Sequence, residues 1–329
     1  MSAAVALVGS STVHKSLLER LAKFALTDAE ILITGPTGVG KELYAQYTHR
    51  QSQRAKAAFI AVNCGAIPDS LLENELFGHV GGAFTGARPN SEGLVASAEG
   101  GTLFLDEVNT LSALAQVKLL RFIQEKEYRR LGESRIRRAN LRFIAATNED
   151  LVAAVQSGRF RQDLFFRLRV IPIEVPALSK RPEDIVPLLN EYIAHYAEFY
   201  NLPSIVLTNK AINLLQTYAW PGNVRELENC VRYLTCLQLG QSIQPEDLPL
   251  LSHDETSMSA TDSAVSFQKA KQDLLSLFER DYLEEALKRS GGNISEAARA
   301  SGKARRAFFE LMRKHGVRAV NTNHFSTGA

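Results

Sequence analysis

The sequence contains little cysteine, and that cysteine is scattered. Only three cysteines occur among 329 residues, Cys64, Cys230 and Cys236, and no two of them form a CxxC pair. This spacing excludes a disulfide framework and a cysteine-based zinc site. We therefore expect the cysteines to be small buried hydrophobic residues in the reducing cytosol, which predicts a cytoplasmic protein.

Two further absences concern membranes and secretion. No apolar run approaches the roughly 18–20 residues that a bilayer crossing requires, and the first five residues lack the basic stretch of a secretion signal. We find no internal repeats. With 45% hydrophobic and 22% charged residues, the composition is ordinary for a globular protein. The sequence predicts a soluble protein of two or three domains with no membrane segment.

Positive charge is concentrated near the C-terminus. The net charge of the chain is only +2, but residues 266–320 contain 12 Lys and Arg against 7 Asp and Glu, which is a footprint of nucleic-acid binding. Two short helical patterns joined by a Gly-containing turn predict a helix-turn-helix there. The second helix should bury Phe308, Phe309 and Met312. Its candidate DNA-binding residues are Lys303, Arg305, Arg306, Arg313 and Lys314.

Short apolar segments alternate with helical patterns up to about residue 178. This alternation predicts an α/β fold, a parallel sheet covered by helices, with strands at 30–34, 58–62, 102–105, 141–145 and 171–175. Helical patterns then dominate up to Leu239, before a polar segment that is typical of a linker. The predicted limits are 1–178 for the α/β domain, 179–250 for a helical domain, 251–266 for the linker, 267–320 for the helix-turn-helix and 321–329 for a tail.

A phosphate-binding motif follows the first predicted strand. It has the pattern GxxxxGK and consists of Gly35, Pro36, Thr37, Gly38, Val39, Gly40 and Lys41. Its glycines let backbone N–H groups surround phosphates, and the lysine reaches the β and γ oxygens at the N-terminus of the next helix. Position 42 is Glu, where the general motif has Ser or Thr to hold Mg²⁺. Metal coordination is therefore expected to shift toward water and a downstream carboxylate.

Paired carboxylates end another predicted strand, about 65 residues after Lys41. Asp106 is suited to bind Mg²⁺, and Glu107 is suited to polarise the attacking water. Strand, order and spacing together favour a nucleotide hydrolase over two solvated carboxylates. A further strand ends in Thr147 and Asn148, polar groups suited to sensing a γ-phosphate.

Three arginines are candidates for stabilising the charge that develops in phosphoryl transfer. Arg161 and Arg167 lie six residues apart, and as arginine fingers they would have to come from a neighbouring subunit. Arg225 opens a helix of the helical domain, where it is placed to reach the nucleotide from the lid side.

The segment between the two nucleotide motifs belongs to neither of them. It reads Gly82, Ala83, Phe84, Thr85, Gly86 and Ala87. The glycines make it poor as a core strand, because they weaken pairing and offer nothing to pack. It is better interpreted as a loop tip, and an aromatic residue held out in water implies a partner for it to touch.

These motifs resemble those of the AAA+ transcriptional activators of sigma-54 RNA polymerase, the bacterial enhancer-binding proteins, over roughly residues 8–317. GPTGVGKE is similar to the Walker A motif of that family, which also carries Glu after Lys. ENELFGH followed by GAFTGA is nearly unique to the family, and TLFLDE, FRxDLxxR and WPGNVREL complete the set.

The resemblance implies roles for the matching residues. Residues 82–87 would contact sigma-54, with Phe84 and Thr85 central. Asn63 would hold Glu107 inactive until the γ-phosphate and sigma-54 contact signal the start of hydrolysis. The alternative interpretation is that Asn63 is a strand-end residue that caps a turn. The arginines match the trans-acting pair and the lid sensor of the family. The implied cofactors are ATP and Mg²⁺. The implied partners are sigma-54 RNA polymerase, enhancer DNA bound through a Fis-type tail, and further subunits in a homohexamer or a hetero-oligomer with a paralogue.

Two features depart from the family pattern. Val80 and Gly81 stand where the family usually has Glu and a variable, often charged, residue, which leaves open how nucleotide state reaches the loop. Only about seven residues precede the AAA+ region, whereas most relatives carry a receiver or ligand-sensing domain there. The chain in this respect resembles the phage-shock and type III secretion activators. Control by expression or by a trans-acting inhibitory protein is then expected.

Two functions of other classes remain as alternatives. One is a DNA-binding repressor or accessory regulator whose AAA+ domain only drives oligomerisation. The other is an AAA+ remodeller of protein or DNA that makes no contact with sigma-54. The intact GAFTGA segment argues against both. We predict a sigma-54-dependent activator that binds an upstream enhancer and uses ATP hydrolysis to remodel the closed polymerase complex.

Overall fold

The computed structural model describes residues 7–82, 90–237 and 242–250, and in the C-terminal part residues 283, 287, 290, 294–300, 308, 309, 312 and 313. The chain divides into two compact units, residues 1–250 and 251–329, which are described separately. The domain limits drawn from the sequence remain predictions.

The first unit contains a five-stranded sheet in which each pair of neighbours is parallel. The strand order is β2-β3-β6-β1-β7, and a separate two-stranded ribbon is formed by β4 and β5. The strands are β1 (Ile31–Thr34), β2 (Phe59–Asn63), β3 (Thr102–Asp106), β4 (Glu127–Tyr128), β5 (Arg137–Arg138), β6 (Arg142–Thr147) and β7 (Ile171–Glu174). All five strands expected from the sequence are confirmed, and so is their parallel arrangement.

Ten helices are described in the same unit. Those of the α/β part are α1 (Thr12–Ala25), α2 (Lys41–Arg50), α3 (Asp69–Phe77), α4 (Gly93–Ser97), α5 (Ala113–Glu125), α6 (Leu151–Gln156) and α7 (Gln162–Leu168). Those of the helical lid are α8 (Ile185–Tyr200), α9 (Asn209–Thr217) and α10 (Asn223–Leu237). Short 3₁₀ turns join several of them.

The two faces of the sheet bury alternate residues, as the pleat requires. Leu103, Leu105 and Phe143 face one core, which is covered by helices α3 to α7. Ile33 and Ile144 face the other core, beneath α1 and α2. With both faces covered, only the strand ends are left to present polar side chains. This is why the candidate site forms at an edge of the sheet.

The lid is built around a buried tryptophan. Trp220 is 1% exposed, and its indole N–H donates to the carbonyl of Leu215 at 2.8 Å. The turn that follows is tight, with left-handed backbone at Trp220 (φ 49°) and Asn223 (φ 54°). This turn starts helix α10 at a fixed place beside the phosphate loop.

The described residues of the second unit include one helix, α11 (Ile294–Ala300), and a small apolar cluster. The cluster contains Leu283, Leu287, Ala297, Ala298, Phe308 and Met312. The expectation that Phe309 is buried is wrong, since it is 55% exposed. Phe308 and Met312 are four residues apart and share one helical face, whereas Phe309 lies about 100° around the axis.

Within the part of the chain that the structure describes, none of the helices has the length and apolar character needed to span a membrane.

Candidate nucleotide site

The phosphate loop begins where β1 ends, and two of its glycines are required by close backbone approaches. A Cβ on Gly35 would lie 2.4 Å from the carbonyl oxygen of Val175. A Cβ on Gly38 would lie 2.3 Å from the carbonyl oxygen of Gly222, in the lid. Gly38 also has φ +80°, a conformation that favours glycine. The loop is therefore held between the sheet and the lid.

Lys41 is the cation of this loop. Its ammonium group donates to the carbonyls of Gly35 at 2.9 Å and Pro36 at 3.1 Å. Burial lowers the pKa of Lys41, and the nearby carboxylates of Asp106 and Glu107 act in the opposite direction. The residue also begins helix α2, after Gly40 in a left-handed conformation. A lysine beside a helix N-terminus and a glycine-rich loop forms an anion-binding site.

Glu42 points into a different environment. It is exposed, and its carboxylate accepts a hydrogen bond from Gln46, one turn later in α2, at 3.1 Å. A contribution of this side chain to cofactor binding stays a prediction.

The two carboxylates stand at the carboxyl end of β3. Asp106 is in register with Asn63 at the end of β2, and its Oδ1 accepts from the N–H of Glu107 at 2.9 Å. Glu107 has a left-handed backbone with φ 54°, an uncommon conformation for a residue with a Cβ. The bend separates the two neighbouring carboxylates so that they are available for different roles.

Asn63 lies beside Glu107 but bonds elsewhere. Its Oδ1 accepts from the N–H groups of Gly65 at 2.8 Å and Ala66 at 3.1 Å. A Cβ on Gly65 would lie 2.7 Å from Oε2 of Glu107 and 3.3 Å from Oδ1 of Asn63. The structure thus shows a turn cap next to the glutamate. That Asn63 restrains Glu107 stays a prediction.

Strand β6 places two polar residues between the phosphate loop and the carboxylates. Thr147 donates through its hydroxyl to Oδ1 of Asn109 at 2.9 Å. The amide of Asn148 donates to Oγ1 of Thr37, in the phosphate loop, at 3.0 Å. Asn109 was missed by the sequence reading; its only signal is its position two residues after Glu107.

The lid contributes three hydrogen bonds to the phosphate loop. They run from Asn223 Nδ2 to the carbonyl of Thr37 at 2.9 Å, from Arg225 N to that of Gly38 at 3.2 Å, and from Arg181 Nη2 to that of Val39 at 3.1 Å. The exposed side chain of Arg225 lines a cleft of about 370 Å³ together with Thr37. Asn223 and Arg181 were not predicted, because nothing local in the sequence links them to a loop about 140–190 residues away.

The two candidate arginine fingers occupy opposite ends of α7. The N–H of Arg161 donates to Gln116 Oε1 at 2.8 Å, and its guanidinium pairs with Asp163 at 2.7 Å. Arg167 lies 3.6 Å from Glu30, just before β1, and donates to the carbonyl of Ile123 at 3.5 Å. Arg167 is therefore at the amino end of β1, opposite the phosphate loop of its own chain.

The loop predicted to contact sigma-54 is described only at its base. Gly82 is exposed with φ +79°, and Ala83, Phe84, Thr85, Gly86 and Ala87 lie outside the described residues. The N–H of Val80 donates to the carbonyl of Leu131 at 3.0 Å, and that of Gly81 donates to Oδ1 of Asn90 at 2.8 Å. The base of the loop is thus fixed by backbone contacts.

The predicted DNA-binding residues are largely beyond the described part. Arg313 is helical and exposed, as a residue that contacts DNA must be. Lys303, Arg305, Arg306 and Lys314 lie outside the described residues.

The site fits ATP through its loop, its lysine and its paired carboxylates. Among the described residues, no group of three or more His, Cys, Asp or Glu side chains could hold a metal ion. Asp106 supplies a carboxylate at the end of β3, and Mg²⁺ usually keeps several waters and is bound through one or two carboxylates together with substrate phosphates. The donor set therefore fits a nucleotide-bound magnesium ion.

Three family profiles match the chain in sequence order. The sigma-54 interaction domain matches residues 7–174. The chain belongs to the sigma-54 activator family. The AAA+ ATPase lid domain matches residues 179–264, and the Fis family of bacterial regulatory proteins matches residues 274–314. These are the successive parts of a sigma-54-dependent transcriptional regulator: an ATP-binding AAA+ core, its lid and a DNA-binding domain.

Individual relatives agree with this membership. The chain is 43% identical to the transcriptional regulatory protein ZraR of Klebsiella oxytoca, over 91% of this chain and 67% of that protein. It is 42% identical to the transcriptional regulatory protein GlrR of Escherichia coli, over 95% and 69%. The chain thus spans about two thirds of the length of these curated relatives.

Solved structures show the same fold. NtrX of Brucella abortus in complex with ADP is 33% identical, with a TM-score of 0.70 over 96% of this chain and 70% of that one. Its complex with ATP gives a TM-score of 0.69 at 34% identity, over 94% and 69%.

Proposed function

We propose that this chain activates sigma-54-dependent transcription by hydrolysing ATP between neighbouring subunits of a ring, most simply a hexamer. The observation that carries the proposal is the continuity of residues 63–82. This segment starts beside Glu107, forms helix α3 and ends at the base of the sigma-54 loop. A change at the carboxylate can therefore be transmitted along one helix to the loop.

Each polar residue of the nucleotide site has a separate task. Lys41 and the loop N–H groups bind the phosphates, and Glu107 orients and polarises the attacking water. Asp106 would hold Mg²⁺, which would supply positive charge to the phosphate oxygens. Asn148 senses the γ-phosphate, a role supported by its hydrogen bond to Thr37 of the phosphate loop. Thr147 fixes this corner of the site through Asn109.

Arg161 and Arg167 act on the nucleotide of the adjacent subunit. Both are partly exposed, with 46% and 40% of their side chains accessible, and neither hydrogen-bonds to the phosphate loop within the described chain. A guanidinium supplied in trans stabilises the charge of the transition state. Hydrolysis would then require assembly of the subunits, so that ATP is turned over only by the ring that acts on the polymerase. Further subunits are either identical copies or a paralogue.

The C-terminal unit binds an upstream DNA site and raises the local concentration of the ring near the promoter. Its Fis-type match and its basic residues support this role. Affinity should depend strongly on salt, because lysine and arginine contacts to phosphate release counterions.

The proposal is tested by transcription in vitro from a sigma-54 promoter with an upstream site. Thr85→Ala should abolish activation while DNA binding and ATP binding are retained. Thr217→Ala, an exposed lid threonine, is the matched control and should activate normally. Activation by the Thr85 variant would overturn the proposed role of the loop. Wild-type protein that represses, or that remodels other substrates without sigma-54, would favour one of the two alternative functions.

A further inference from the structure

Three consecutive carbonyl groups of the phosphate loop accept hydrogen bonds from the lid. The acceptors are residues 37, 38 and 39, and the donors are the side chains of Asn223 and Arg181 and the backbone N–H of Arg225. The arrangement fixes the orientation of the loop backbone.

The orientation matters because of peptide geometry. In a planar trans peptide, the carbonyl of one residue and the N–H of the next point in opposite directions, and the described chain contains no cis peptide. With the carbonyls of residues 37–39 turned to the lid, the N–H groups of Gly38, Val39 and Gly40 point away from it. In the described part of the chain, none of these three N–H groups donates to a protein acceptor. They are free to bind an anion.

The lid donors are themselves held in place. Oδ1 of Asn223 accepts from the N–H of Leu178 at 2.9 Å, so its NH₂ group must face the carbonyl of Thr37. Asn223 is 3% exposed. Arg181 is also 3% exposed; its Nη1 donates to the hydroxyl of Tyr44 at 3.0 Å and lies 3.6 Å from Asp184. Neither donor has freedom to turn away from the loop.

We propose that Asn223 and Arg181 are positioning residues for the phosphates of ATP. They hold the loop carbonyls toward the lid, and the three N–H groups therefore point toward the phosphates. The lid, when it is hydrogen-bonded to the loop in this way, is part of the phosphate site. This inference rests on the proposed ATP-binding function. By linkage, a bound nucleotide must also favour the hydrogen-bonded contact between lid and loop, because nucleotide binding and that contact stabilise each other.

The first test replaces one donor by an acceptor of the same shape. In Asn223→Asp the ionised carboxylate faces the carbonyl of Thr37, and Asp tolerates the left-handed backbone nearly as well as Asn. We expect the affinity of the full chain for ATP with Mg²⁺, measured by calorimetric titration at pH 8, to fall roughly 10- to 100-fold, as an unpaired buried carbonyl facing a charge predicts. Asn213→Asp, at an exposed position of α9, is the control and should bind as wild type.

A pH series separates positioning from a general structural effect. As the pH is lowered, the introduced aspartic acid becomes protonated, and its O–H can donate to the carbonyl of Thr37. The affinity of Asn223→Asp relative to wild type should therefore recover toward low pH. A defect that stays constant with pH would overturn the assignment for Asn223.

The second test uses Arg181 and a probe without phosphates. Arg181→Gln should weaken ATP and ADP by about 10-fold, the loss expected for a charge-assisted bond, but leave adenosine unchanged. Arg181→Lys, which keeps the charge and can reach only one partner, should be intermediate. Lys180→Gln, its exposed neighbour, is the control. Equal losses for ADP and adenosine would overturn the proposal, since phosphate orientation would not be the cause.

These binding measurements require neither hydrolysis nor sigma-54. If wild type binds no ATP, the proposed function itself fails. If wild type binds and hydrolyses ATP but both variants bind it equally well, only the positioning role fails. If Asn223→Asp lacks a cooperative thermal transition, the ADP-to-adenosine comparison with Arg181→Lys decides the question alone.

Discussion

The two edges of the central sheet use their polar residues in different ways. At the carboxyl edge, Asp106, Glu107 and Asn148 stand around a loop that has free N–H groups. At the amino edge, polar side chains are engaged in holding elements together. Arg142 donates to the carbonyls of Phe24 and Ala25, at the end of α1, at 3.0 and 3.1 Å.

The difference shows where charge serves chemistry and where it serves stability. In open parallel sheets, ligands bind outside the carboxyl ends of the strands, and this chain follows that rule. Arg167 is the exception, because it lies near Glu30 at the amino edge although it is proposed to act in catalysis. Substitutions at the carboxyl edge are therefore expected to lower ATP turnover, and those at the amino edge to lower stability. Arg167 tests this distinction, because a substitution there is expected to lower turnover although the residue lies at the amino edge.

The largest effect is expected from the two arginines of α7. Arg161→Ala and Arg167→Ala should each lower ATP turnover by roughly 10³-fold or more, the range found for arginine fingers. If they act in trans, mixing an arginine variant with Glu107→Gln should restore part of the turnover, because some interfaces then combine an intact arginine with an intact glutamate. Arg138→Ala, whose side chain is 87% exposed in a surface ion pair with Glu127, is the control. A mixture without recovered turnover would contradict action in trans.

Glu107→Gln should come next, with turnover lowered by about 10²- to 10⁴-fold through loss of the general base. ATP binding and the melting temperature should be retained, since no hydrogen bond of the Glu107 side chain occurs in the described structure. Steady-state hydrolysis and nucleotide titration measure the two properties. Glu198→Gln, an exposed carboxylate on α8, is the matched control. Normal turnover in Glu107→Gln would refute the role of this edge.

Arg142→Ala should affect stability instead. The side chain is fully buried. Its loss removes the described donor to the carbonyl of Ala25, one of several donors to that of Phe24, and the packing along the stem. We expect the free energy of unfolding in urea to fall by about 2–4 kcal/mol. Arg138→Ala, whose ion pair with Glu127 is at the surface with 87% of the arginine exposed, should cost about 0–1 kcal/mol. Equal losses of unfolding free energy in Arg142→Ala and Arg138→Ala would contradict the stabilising role assigned to the amino edge.

The smallest effect concerns pH and His49, which lies 2.9 Å from the hydroxyl of Thr102 at the amino edge. Burial lowers the pKa of His49, and Arg142 adds to that effect, against a backbone hydrogen bond that raises it. The unfolded chain therefore binds the proton more readily than the folded one. Stability should be highest above about pH 6.5 and decline as the pH falls below it.

The melting temperature between pH 8 and 5 measures this decline. His49→Gln should flatten part of it, and the remainder includes His14, whose pKa is also lowered by burial. A wild-type melting temperature that rises toward pH 5 would contradict the sign of the effect.

The sequence by itself determined the elements whose physics is local. Phosphate chemistry is predicted by short motifs: the glycines of residues 35–40 with the lysine that follows them, and the carboxylates at 106 and 107. Each motif can be recognised locally because it needs only neighbouring backbone and side chains. The alternating apolar segments likewise predicted five strands within one or two residues of where they lie. Family resemblance rested on the same short motifs, and the profiles confirmed it.

Only the tertiary structure decided which distant groups meet. That Asn223 and Arg181 hold the phosphate loop, and that Arg161 and Arg167 lie at opposite ends of α7, depends on contacts between segments far apart in the chain. The expectation that Phe309 is buried was wrong for a related reason: neighbouring residues on a helix point about 100° apart, and here Phe308 lies in the apolar cluster while Phe309 is exposed. Short motifs in the sequence identify the residues of the site, and tertiary packing determines which of these residues contact one another.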